Sequence, residues 1–321
     1  MLATWQVIAL AALAAIAISL WARRAYDNRA AAVTASLSAA ALACLWLAYE
    51  VIPVEQWRRE SLPIGLAIFA IPALAAAAIA VARRRPGPAG RRSRPCRADP
   101  AGWRSRPYRA GPDLDASSIT YLLILWAAPA VLLYVSQRTP FGDSLANLLW
   151  WAGSTIGIYV LVPVLYARTF GQSVRGYGLS ATFVRSEAVI VALIAPIALA
   201  IVWLASSDQR FLDTYPFYKG DGWSLVAFEV AYGASFVALE FFFRGFLVFA
   251  GQPVLGVHAV PVMAFTYCLL HLGKPLPEAA SSLIGGLILG YLALRLRSIL
   301  AGVVAHLTIA WGMDAFVLSR P

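Results

Sequence analysis

Ten stretches of this chain are apolar over about the 20 residues that an α-helix needs to cross a bilayer, and this feature leaves few folds open. They fall at 3–21, 30–52, 62–82, 119–136, 146–167, 187–206, 223–248, 257–273, 279–295 and 298–318. Of the 321 residues, 60% are hydrophobic and only 13% charged, where a soluble domain is about half apolar and a quarter charged. A bilayer resolves the surplus by acting as its solvent. The expected fold is all-α, a polytopic transmembrane bundle of about ten spans. Residues 1–21 could be mistaken for a signal peptide. They lack a basic leading region, and Arg23 and Arg24 follow the apolar stretch, which is the flank order of a retained helix.

The net charge is +10, yet ten of the 26 basic residues lie between Arg83 and Arg109, outside any apolar run. That pattern predicts a cytoplasmic loop drawn to anionic lipid headgroups. No recognition motif accompanies the charge, so nucleic acid is not an expected partner. Residues 83–118 are rich in Pro, Gly and Arg and carry a short duplication, RSRPCRADP from Arg92 and RSRPYRAGP from Arg104. Such a composition cannot bury a core and predicts a disordered linker. It separates a three-helix region, 1–82, from a larger helical region, 119–318. The arginines after spans one, three, five and nine share one side if the spans alternate. That side is the cytoplasm, which places both termini and the 206–223 loop outside. The cysteines, Cys44, Cys96 and Cys268, form no zinc or disulfide pattern.

Ionisable residues within a membrane span are costly and mark functional sites. They concentrate in the second region. Glu229, Glu240 and Arg244 lie on the seventh span, His271 ends the eighth, and His306 and Asp314 lie on the tenth. At 1.5 Å per residue, Glu240 is about 15 Å, His306 about 13 Å and His271 about 20 Å from the nearest cytoplasmic reference points on their helices. Three helices therefore bring a glutamate and two histidines to similar depth. Glu240 and Arg244, at i and i+4, share a helix face, with Glu229 three turns before on nearly the same face. A glutamate with a histidine can hold and deprotonate water, and a second histidine can donate to an oxyanion. Two histidines and a glutamate (Glu240, His271, His306) could instead ligate zinc, although no HExxH motif is present. Plainer roles are also open: a structural ion pair for Glu240 and Arg244, an interfacial position for His271 and His258, an interhelical hydrogen bond for His306, a solvated Asp314, polar support from Glu229, and interfacial belts for Trp150, Trp151, Tyr215, Tyr218 and Trp223.

Residues 140–318 resemble the CAAX-protease and bacteriocin-processing (CPBP, or Abi) family of intramembrane endopeptidases. The family pattern Glu-Glu-x-x-x-Arg-Gly aligns with Leu239, Glu240, Arg244 and Gly245, and Phe-x-x-x-His aligns with Tyr267 and His271. The Leu-Gly-Lys-Pro after His271 and the Gly-rich helix ending at Ser298 are also similar, and His-x-x-x-Asn/Asp is matched in part by His306. The resemblance implies that Glu240 and His271 activate water, His306 stabilises the oxyanion and Arg244 positions Glu240, with no metal or other cofactor required. Tyr267 holds the motif's ring position, Glu229 reads as polar support, and Asp314, one turn beyond Ala310, could stand in for the motif's Asn only if the helix turns or kinks. The resemblance also implies peptide-bond hydrolysis inside or at the cytoplasmic side of the bilayer, on a membrane-anchored, lipidated or hydrophobic protein substrate, in the cell's inner membrane. Two positions depart from the pattern: Leu239 replaces its first glutamate and Ala310 replaces its Asn or Asp. They leave open a catalytically inactive membrane scaffold or immunity factor. Intramembrane Glu and His also suit a proton-coupled transporter, but the chain shows no inverted repeat.

Overall fold

The computed structural model describes residues 3–50, 61–84, 114–139, 141–142, 144–179 and 185–319. The basic linker with its duplication, and Cys96 within it, therefore lies outside the described residues except at its ends. Among the described residues there are ten long helices and no strand. They are α1 (Thr4–Ala25), α2 (Asn28–Glu50), α3 (Ser61–Arg84), α4 (Ala116–Gln137), α5 (Ser144–Thr169), α6 (Arg185–Ala205), α7 (Gly222–Glu240), α8 (Ala259–Leu270), α9 (Leu276–Leu296) and α10 (Leu300–Leu318). All ten are long and apolar enough to span a membrane, α7 when its π-helical continuation and α8 when its preceding short turns are included. The chain is a multi-pass helical bundle, as the ten apolar runs require.

Several termini of these helices have a local cause. The Asp115 side chain accepts the Ser118 N–H at 2.9 Å, capping α4. Pro277 sits in the first turn of α9, where its missing N–H costs nothing, and Glu278 follows at the positive end of the helix dipole. At the other end, Arg297 takes the left-handed conformation (φ 59°) that ends α9 and turns the chain into α10.

Helix α8 occupies the centre. Every residue from Ala259 to Leu269 is buried, and the helix packs against α2, α3, α4, α9 and the segment after α7. Close approach of α9 depends on two glycines. A Cβ at Gly286 would meet Ala264 at 3.1 Å, and one at Gly290 would meet Met263 at 2.7 Å. Without a water-driven force between helices in lipid, such backbone proximity is a main source of packing energy. The N-terminal helices join the same core: α1 packs on α9, α2 on α8, and Thr34 on α2 hydrogen-bonds the Tyr291 hydroxyl on α9 at 2.8 Å. Towards the C-terminal half, α5 packs on α7, α6 on α10, and α7 on α10.

Two features position the site. After Glu240 the α7 helix widens into a π-helix, Phe241–Leu247, whose seven residues are all buried. π-Helical turns inside α-helices recur at functional sites because they re-aim side chains. The 206–221 loop folds back with a short helix, Gln209–Leu212, and tucks Phe211 and Tyr215 into the protein. Tyr215 and Trp151 are thus packed with Phe217 rather than standing in an interfacial belt, whereas Trp223 is 87% exposed.

Candidate active site

Glu240 sits at the α-to-π junction with no exposed surface, and Arg244, one turn on, is 1% exposed. Neither could remain charged there alone, and each supplies the other's counter-ion. Arg244 Nη1 approaches Glu240 Oε1 at 2.9 Å, as an ion pair rather than an aligned hydrogen bond. The same oxygen meets His306 Nδ1 at 2.9 Å. Oε1 is therefore shared between a guanidinium and an imidazole brought by α10. Oε2 has no hydrogen-bond partner among the described residues and lies against the bare Cα of Gly302, one turn before His306 on the same face.

Tyr267, on α8, joins these groups to His271. The Arg244 guanidinium lies 4.0 Å from the centre of the Tyr267 ring, a cation–π contact that helps pay for its burial. The Tyr267 hydroxyl is 3.4 Å from His306 Nε2. Its backbone carbonyl accepts from His271 Nδ1 at 2.9 Å, and its ring meets the His271 ring edge-on at 4.5 Å. An Nδ1–H spent on a carbonyl leaves the Nε2 of a neutral His271 with a lone pair. Glu240, Arg244, Tyr267, His271 and His306 thus form one connected group. Glu240 contacts His306 directly and is linked to His271 through Tyr267.

The group borders a cavity of about 1420 Å³, whose lining includes His271, His306, Leu239, Tyr232 and Phe236. Most of its wall is apolar, from α1, α3, α4, α6 and α9, and residues of the 208–217 segment also line it. Glu240 is absent from that lining and Leu239 is part of it: of the two adjacent residues, leucine faces the cavity and the glutamate faces α10. Ala310 packs with Phe228 and Tyr232. Asp314 is 3% exposed and faces Glu229 across α7 and α10, with no donor to either of its oxygens among the described residues. It is neither solvated nor in contact with His306. His258 is likewise buried, at 5%.

The sequence reading missed a second polar cluster beside His271. Lys274 Nζ lies 3.2 Å from Glu278 Oε1 and donates to the Tyr215 hydroxyl at 2.9 Å, and that hydroxyl donates to the Glu278 carboxylate at 2.8 Å. Lys274 also lies 4.3 Å from the Phe217 ring centre. The cluster fastens the 206–221 loop to the first turn of α9. Burial, reinforced by the Glu278 charge, holds the Tyr215 phenol well above its ordinary pKa, so it remains a donor. The i, i+4 spacing of Lys274 and Glu278 was a readable signal for the ion pair, but nothing in the sequence pointed to Tyr215 as its partner.

Among the described residues no three His, Cys, Asp or Glu side chains converge as metal ligands. Glu240 Oε1 is already shared by Arg244 and His306, and a guanidinium at 2.9 Å opposes a second cation on that carboxylate. The residues present do not fit a zinc ion held by Glu240, His271 and His306.

A carboxylate, a guanidinium and two imidazoles held together inside a multi-pass bundle, against a large apolar cavity, define an intramembrane site suited to acid–base chemistry. Residues 221–312 match the Rce1-like family, described as type II CAAX prenyl endopeptidase Rce1-like. The match agrees with the CPBP resemblance, begins at the residue before α7, and contains Glu240, Arg244, Tyr267, His271 and His306 while ending before Asp314. No curated protein and no solved structure matches the chain. The match covers less than a third of the chain, within its C-terminal part.

Proposed function

We propose that the chain is an intramembrane endopeptidase that hydrolyses a peptide bond in a membrane-anchored, lipidated or hydrophobic protein. The observation that carries this reading is the sharing of Glu240 Oε1 by Arg244 and His306 beside a cavity that His271 also lines. His271, oriented by its bond to the Tyr267 carbonyl, takes a proton from the attacking water through Nε2. Glu240 acts with it as the second group of the water-activating pair, its carboxylate fixed by Arg244. His306, tied at Nδ1, presents Nε2 to the oxyanion. No metal or other cofactor takes part. The arginine-rich helix ends then lie in the cytoplasm and both termini outside an inner membrane. The substrate is met inside the bilayer or at its cytoplasmic side, and the basic linker rests on anionic lipid.

A second reading, a binding protein of this fold without catalysis, is favoured by one observation: Leu239, not Glu240, faces the cavity. One experiment separates the two. Detergent-purified protein is given a lipid-linked reporter peptide, with Glu240→Ala and His271→Ala as controls. The endopeptidase reading expects cleavage by wild type, its loss in both variants, and its survival in strong chelator. Cleavage that neither substitution affects refutes the assigned roles. Binding of the lipid-linked peptide without cleavage establishes the second reading.

A further inference from the structure

We propose that the Tyr267 hydroxyl is a second oxyanion donor, supplying beside His306 the hydrogen bond that Ala310 cannot. The inference rests on the endopeptidase reading above. The Phe-x-x-x-His pattern needs only a ring at this position, and this chain carries a phenol. Tyr267 is 4% exposed, and a phenol buried to that degree requires a partner for its O–H. The hydroxyl lies 3.4 Å from His306 Nε2, a contact longer than an ideal hydrogen bond, and also interacts with the Arg244 guanidinium. The ring is fixed on two sides, by Arg244 at 4.0 Å and Phe243 at 5.1 Å, so the hydroxyl is held in place before any substrate arrives. With Nδ1 committed to Glu240, Nε2 is the only nitrogen His306 can offer. Two donors 3.4 Å apart can converge on one oxygen placed about 3 Å from each. Ala310, one turn past His306, has no donor and packs among Phe228 and Tyr232.

The chemistry balances. Water oxygen forms a bond to the substrate carbonyl carbon as His271 Nε2 takes its proton. The carbonyl π-electron pair moves onto oxygen, which accepts from the Tyr267 O–H and is met by His306 at Nε2. Collapse re-forms the carbonyl and breaks the C–N bond, and the His271 proton passes to the leaving amine. The carbonyl of Tyr267 orients His271 while its hydroxyl faces His306, so one residue sets the geometry of both the base and the oxyanion donor.

The test is steady-state cleavage of a lipid-linked peptide by the purified full-length protein. Tyr267→Phe should lower kcat about 100-fold, the usual cost of one oxyanion donor, with KM and melting temperature near wild type. Restoring a side-chain amide with Ala310→Asn should raise kcat in the Tyr267→Phe background and change it little in wild type. Tyr267→Phe cleaving at the wild-type rate, while Glu240→Ala and His271→Ala are inactive, overturns this proposal and leaves the endopeptidase reading standing. A loss carried by KM, or one that follows a lower melting temperature, also overturns it. A wild-type protein that binds the peptide without cleaving it overturns both.

Discussion

Gly302 has no ionisable group, yet the geometry makes it a sensitive control on Glu240. A methyl group built on Gly302 would stand 3.1 Å from the Glu240 carboxyl carbon and would overlap Oε2 outright. Oε2 must therefore retreat by roughly 1 Å, in a core packed too tightly to yield freely. Retreat along the side chain pulls Oε1 away from Arg244 and His306, both now at 2.9 Å. Gly302→Ala should destabilise the protein by about 1–3 kcal/mol from overpacking. Cleavage should fall by about 100-fold, as a misplacement of 1 Å commonly costs. The decisive assay is a double-mutant cycle in thermal unfolding of the purified protein. With Glu240→Ala there is no carboxylate to displace, so adding Gly302→Ala should cost little, giving a coupling of about 1–3 kcal/mol between the two positions. This readout does not require the protein to be active. Additive effects, with coupling below about 0.5 kcal/mol, would refute the argument that Gly302 exists to admit the carboxylate.

Three other outcomes are expected. Arg244→Met leaves Glu240 buried without its strongest counter-ion and should cost about 3–5 kcal/mol in thermal unfolding, whereas Glu240→Leu together with Arg244→Met should recover most of that loss without activity. Tyr215→Phe removes hydrogen bonds to Glu278 and from Lys274 and should cost about 1.5–3 kcal/mol. It should also change the alkaline limb of stability. The folded Tyr215 phenol has a pKa raised above its ordinary value of 10.0, so its contribution is complete below that pH and is lost as the pH rises above it; the variant should lose less stability between neutral and strongly alkaline pH than wild type. Asp314→Asn gives Glu229 a facing donor and should raise the melting temperature, by about 1 kcal/mol of stability, while leaving cleavage near wild type because Asp314 does not touch His306.

Length and hydropathy are one-dimensional quantities, and what depends on them was legible. All ten spans could be placed from apolar runs, and depth along each helix put Glu240, His271 and His306 at one level. Facing and partner choice were not legible. Tyr215 and Trp151 have the composition of an interfacial belt, and only the return of the 206–221 loop shows that they pack inside. Asp314 near the end of a span looks solvated until α7 supplies Glu229 opposite it. Gly302 is one of many small residues in the spans, and nothing local distinguishes it from Gly312. Its role arises only when the Glu240 side chain crosses from another helix.

The hardest case is Leu239 and Glu240. Adjacent helical positions differ by about 100° in facing, so a pattern with two glutamates tolerates uncertainty that a single glutamate does not. Here the chain departs from α-geometry at the very next residue, where the π-helix begins. A wider turn changes which residues stand above one another, so extrapolating a face through Arg244 from α-helical spacing is unsafe even though i and i+4 remain neighbours. The observed solution pairs Glu240 with Arg244 and His306 and gives the cavity wall to Leu239. Replacing Leu239 by Glu tests which of two designs the site uses. If the carboxylate must line the cavity, Leu239→Glu should raise cleavage, and Glu240→Ala should then abolish activity chiefly by loosening Arg244 and His306. If Glu240 itself activates water, Leu239→Glu places a second negative charge one residue away in a low-dielectric interior, and cleavage should fall. The direction of that single change decides whether the Glu240, Arg244 and His306 group performs the reaction or holds the architecture around it.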